Sequence, residues 1–97
     1  MKIIADLCIV PMGVGPSVSG YIRAVRDIID ASGLQYEMHA NGTNIEGEIA
    51  AVTACVEACC ERLHEMGVER IFCTMSFSTR NDKTQTMADK LAALAGG

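Results

Sequence analysis

Four short stretches of this chain carry side chains able to do chemistry. Ser17 and Ser19 follow the loop Pro11-Met12-Gly13-Val14-Gly15-Pro16. Where such a loop meets a helix start, backbone N–H groups and nearby hydroxyls can hold an anion or a polar ligand group; a plain N-cap explains the serine at position 17 equally well. Thr43-Asn44-Ile45-Glu46 has the spacing of a capping box. Gly47 stands between it and the next helical period, so Thr43 and Glu46 read instead as strand residues near a tight turn. Glu46 can then accept hydrogen bonds from a ligand amino group, the alternative being a carboxylate that favours a helix start. Ser76 and Ser78 precede Arg80-Asn81-Asp82-Lys83, a polar turn whose default reading is a solvated charged surface.

The fourth stretch, Cys55-Val-Glu-Ala-Cys59-Cys60-Glu-Arg-Leu-His64, looks at first like a set of metal ligands. At 100° per residue Cys59 falls in the middle of an apolar stripe, with Cys55 and Cys60 on its opposite borders. Cys60 and His64 are four apart and can face one ion, but two ligands do not make a site. Cysteine as a small core hydrophobe is the better account, and no metal ligand is assigned. Gly13-Val14-Gly15 is not a dinucleotide fingerprint, because Val18 occupies the third glycine's place. His39, on the second strand, reads as structural. No nucleophile–base pair can be assembled, so no catalytic residue is assigned and the expectation is that the chain is not an enzyme.

The elements that must position these groups follow from periodicity. Lys2 to Val10 reads as a strand ended by Pro11. Val18, Ile22, Val25 and Ile29 lie at helical spacing behind Ser17, with Gly33 as the stop. Gln35 to Ala40 and Thr43 to Gly47 read as the arms of a hairpin turning at Asn41-Gly42. From Glu48 a helix carries Ile49, Val52, Val56, Cys59, Leu63 and Met66 on one stripe, closed by Gly67.

Arg70 to Thr79 alternates as a strand, with Ile71, Cys73, Met75 and Phe77 on one face and Phe72, Thr74, Ser76 and Ser78 on the other. A last helix carries Met87, Leu91 and Leu94, and Gly96-Gly97 should fray. This order is an α+β, split β-α-β pattern, βαββαβ with an additional C-terminal helix. One sheet face lies under helices. The other is open and carries Ile4, Asp6, Cys8 and Val10 beside the second set above. That mixture is too apolar for a purely solvated surface, and predicts a homodimer or homotetramer through the open face.

Composition bounds the function. Ninety-seven residues make one domain, 1–97, and a net charge of −4 with only 4% aromatic residues excludes a nucleic-acid binder. No signal-peptide core and no run of 18 apolar residues is present, which points to a chain without membrane association. Five cysteines, an odd number, suit reduced thiols and a cytoplasmic location better than a disulfide framework.

Pro11-Met12-Gly13-Val14-Gly15-Pro16-Ser17-Val18-Ser19, Asn41-Gly42-Thr43-Asn44-Ile45-Glu46-Gly47 and Arg80-Asn81-Asp82-Lys83 together resemble the small thiamine-binding protein family over nearly the whole chain. The resemblance implies a ferredoxin-like subunit assembling through its sheets. It also implies non-catalytic binding of thiamine or its hydroxymethylpyrimidine part, with no further cofactor. The matching positions are Ser17, Ser19, Thr43, Glu46 and Arg80. Ser76 joins them as a hydroxyl able to meet a pyrimidine in a mostly apolar cleft. Ser76-Phe77-Ser78 stands where many members have a charged strand end. The alternative function is an assembly or regulatory module whose open face mediates self-association without a ligand.

Overall fold

The computed structural model describes residues 1–96. Along the chain run β1 (Lys2–Met12), α1 (Ser19–Ala31), β2 (Gln35–His39), β3 (Gly42–Glu48), α2 (Ile49–Glu65), β4 (Arg70–Ser78) and α3 (Met87–Gly96). The strands form one sheet in the order β2-β3-β1-β4, every neighbouring pair antiparallel. This is the expected α+β, ferredoxin-like arrangement with a third helix appended. Among the described residues no helix is long and apolar enough to cross a membrane.

Strand alternation separates the two sheet faces. Ile3, Ala5, Leu7 and Ile9 of β1 are buried under α1 and α2, while Asp6, Cys8 and Val10 point to the open side. Ile29 from α1, Ile45 from β3, and Val52, Cys59 and Leu63 from α2 are fully buried between the layers. Cys55, expected on the border of the α2 stripe, is also in this core. The glycine stop after α2 is as expected, and His64 adds to it: its Nδ1 lies 2.7 Å from the Val68 carbonyl oxygen.

Five local expectations need correction. β1 does not end at Val10 but runs through Pro11 to Met12. Past Leu7 only β4 flanks it, and a proline is tolerated on such an edge. Ser17 is not the N-cap of α1; Val18 is, with no side-chain cap, its carbonyl accepting the N–H groups of Tyr21 and Ile22 at 3.0 and 3.1 Å. Ser17 sits one residue too early to reach those donors.

The hairpin turns at Ala40-Asn41, because His39 already pairs with Gly42, and neither turn residue has positive φ. On β4 the two faces are as expected, but the helices cover only Ile71 and Met75. Cys73 and Phe77 share that side and stay exposed, since β4 is the sheet edge. Gly96 closes α3 rather than fraying, and Gly97 lies outside the described residues.

Candidate functional site

β3 decides which candidate residues can meet. Thr43 pairs with Leu7 and Met38, residues of the helix-covered face, and is buried there. Glu46, three residues on, pairs with Ile4 and Gln35 on the open face. The two side chains therefore leave the same strand in opposite directions.

Thr43 belongs to a cleft of about 310 Å³ at the hairpin end, closed by Val18, Ile22 and Val25 of α1 and by Met38. Ser17 and Ser19 flank Val18 and are exposed at its rim. The cleft walls are mainly apolar. Beside it, across the side-chain-free position of Gly42, His39 Nε2 lies 3.1 Å from Asp6 Oδ1. No hydrogen bond joins Cys8 to that histidine.

Glu46 belongs to the opposite end of the sheet. Its neighbour Ile4 pairs with Ser78, and both line a cleft of about 430 Å³ walled by the start of β1, the end of β4 and the loop leading into α3. The Met87 N–H donates to Glu46 Oε2 at 2.9 Å, tying the first turn of α3 to the open face. A carboxylate has about four acceptor sites, so this bond leaves capacity for a ligand amine. Lys90 Nζ approaches Ser78 Oγ at 3.5 Å. Thr86 and Asp89 cap α3 reciprocally, each backbone N–H bonded to the other's side-chain oxygen at 3.0 and 3.1 Å.

Arg80 lines the same cleft and grips Asp82 through Nε, at 2.6 Å, and through Nη2. Its Nη1 also donates to Gln85 Oε1 at 3.2 Å. Bonding to this guanidinium holds the Asp82 carboxyl down at about 2. Ser76 stands opposite Asp6 in the middle of the open face, one side-chain row from the cleft. The candidates thus divide into two groups within one chain: Ser17, Ser19 and Thr43 at the hairpin end, and Glu46, Ser76 and Arg80 towards the other.

Sequence reasoning missed Lys2 and Lys90 of the larger cleft and left Lys83 as part of a solvated charged turn. They are scattered along the sequence, and only the antiparallel pairing of β1 with β4 brings Lys2 beside the chain's last loop. Cys55 and Cys59 behave as core filler, Cys60 is half-buried, and Cys8 and Cys73 are exposed; burial pushes the Cys59 thiol up to about 12, helped by neighbouring Cys55. Burial and then the neighbouring Cys60 also raise Cys73.

Comparison with known proteins agrees with this architecture. The family model described as thiamine-binding protein matches residues 5–95. A UPF0045 protein of Synechocystis is 47% identical over 94 residues, covering 97% of this chain and 78% of its own. One from Eremothecium gossypii is 40% identical over 89 residues, covering 91% of this chain and 85% of its own.

Among solved structures, a Methanocaldococcus jannaschii protein superposes with a TM-score of 0.86 at 30% identity, over 97% of this chain and 96% of that one. A Thermotoga maritima protein, described as a candidate for thiamine biosynthesis or salvage, gives 0.81 at 19% identity, over 97% and 99%. That second likeness carries the fold. With a match spanning nearly every residue, the chain belongs to the thiamine-binding protein family.

Proposed function

We propose that this protein is a non-catalytic, oligomeric binder of thiamine or of its hydroxymethylpyrimidine part, holding the aminopyrimidine against Glu46. The observation that carries this reading is the half-buried Glu46 carboxylate, placed on the open sheet face beside the apolar Ile4 and at the edge of the larger cleft. A pyrimidine amine needs an oriented acceptor in a partly apolar setting, and both are present there. Thr43, Ser17 and Ser19 belong to the same reading only if a second copy brings its hairpin end to this cleft. Isothermal titration with thiamine and with hydroxymethylpyrimidine tests it. Binding is expected for the native chain and should weaken at least tenfold on Glu46→Gln; the absence of heat or thermal shift with either compound refutes the reading.

A second reading, assembly without a ligand, is favoured by the exposed apolar side chains Val10, Met12 and Phe72 on the open face. It predicts a stable oligomer whose melting temperature no pyrimidine moves.

A further inference from the structure

The chain contains only three lysines, Lys2, Lys83 and Lys90, and all three line the cleft beside Glu46 together with Arg80. Four of the eight basic side chains of a molecule with net charge −4 are thus collected at one place. The lining holds a single carboxylate, Asp82, which Arg80 engages. Of the carboxylates around the cleft, Glu48 pairs with the N-terminal ammonium at 2.6 Å, while Asp89 and Glu46 accept from the Thr86 and Met87 N–H groups at 3.0 and 2.9 Å, bonds that orient these two without neutralising them. Hydroxyls of Ser78, Thr79 and Thr84 complete the polar wall. An arrangement of cations and hydroxyls in a concave site suits an anion with several acceptor oxygens.

This bears on the ligand's charge. Thiamine carries a permanent positive charge on its thiazolium ring, and the three lysines left over from the Arg80–Asp82 pair repel it. A phosphate ester of the same compound reverses that sign at the end of the molecule away from the aminopyrimidine. Resting on the reading that Glu46 meets the pyrimidine, we propose that the lysine-lined cleft binds the phosphate group of a phosphorylated ligand, a phosphate ester of thiamine or of the pyrimidine alcohol. Glu46 pairs directly with Ile4, a cleft residue, so the carboxylate that meets the pyrimidine stands at the edge of the cleft that takes the phosphate.

Calorimetry with thiamine, thiamine monophosphate and inorganic phosphate, on the native chain and on the Lys83→Gln/Lys90→Gln double variant, tests this. Thiamine monophosphate is expected to bind the native chain at least tenfold tighter than thiamine. That ratio should fall toward one in the double variant and with rising salt. Arg26→Gln, which removes one positive charge outside the cleft, should preserve it. Circular dichroism checks that each variant is folded.

Equal affinities for the two thiamine forms in the native chain, or a preference that survives the double substitution, overturn the proposal. The phosphate arm separates it from the reading on which it rests. If phosphate binds the native chain but not the double variant while neither thiamine form binds, the anion site stands and the thiamine reading falls. If thiamine binds in a Glu46-dependent way and phosphate contributes nothing, the thiamine reading stands and the phosphate site falls.

Discussion

Asp82 is exposed, yet bonding to the Arg80 guanidinium holds its carboxyl at about 2, below the ordinary value near 3.8. A lowered carboxylate pKa means the pair is complete above about pH 4 and is lost as pH falls through about 2. An NMR titration of the Asp82 carboxyl should therefore find a midpoint near 2, moving back to the usual range near 4 in Arg80→Gln. An unshifted midpoint in the native chain would show that the ion pair does not persist in solution. The consequence for the site is local: at neutral pH Arg80 is engaged and shapes the loop, while the lysines carry the charge that Asp82 does not balance. Glu46 was legible as a strand carboxylate rather than a helix-start one because Gly47 stands before the next helical period. Its lysine neighbours were not legible, since Lys2 and Lys90 lie 88 positions apart in the sequence and meet only through the sheet.

At the scale of elements, Gly42 shows how a correct outcome can rest on a different cause. Asn41-Gly42 signals a hairpin through the positive φ that such turns demand. The hairpin is there, but Gly42 has negative φ and is the first residue of β3. What requires glycine is proximity: a Cβ at this position would lie 2.6 Å from the Leu7 carbonyl oxygen and 3.3 Å from His39 Cε1. The first of these is backbone in a central strand and cannot swing aside. Gly42→Ala should destabilise the protein by about 1–3 kcal/mol in urea melts. Gly20→Ala, inside α1 with only the tip of Arg23 at 3.8 Å, should instead stabilise by about 0.5–1 kcal/mol. Equal effects at the two positions would remove the steric argument. Periodicity exposed every element of the chain, because each carries an apolar face, even α3, which buries none of it within the subunit. It could not show close approaches between strands, or that Val18 rather than Ser17 starts α1, because both depend on where a neighbouring segment lies.

At the scale of the whole molecule, the shape is longer than the chain length requires. The radius of gyration is 14.4 Å and the extents are 43 × 27 × 20 Å, against about 12.5 Å expected for a compact domain of this length. α3 has no buried residue; Leu91 and Leu94 are 51% and 79% exposed. It meets the sheet through its first turn, at Glu46 and Ser78. Beyond that turn its leucines, like the cross-strand pair Val10 and Phe72 on the open face, present apolar surface to water. A chain that leaves these apolar side chains open beside a filled core gains by packing them against a copy. Val10 and Phe72 face the same way from neighbouring strands, so one charge between them desolvates badly in any sheet-to-sheet contact. If the chain self-associates through this face as proposed, Phe72→Glu should shift the oligomer toward monomer in light scattering while leaving the far-ultraviolet spectrum unchanged, because the residue is 62% exposed within the subunit. Cys8, beside this pair on the same face, reports the change independently. Its alkylation should be slow in the native assembly and accelerate in the variant. A monomeric native chain would refute self-association; an oligomer that survives Phe72→Glu with Cys8 equally reactive in both would place the contact elsewhere, and the apolar flank of α3 would then be the surface to test.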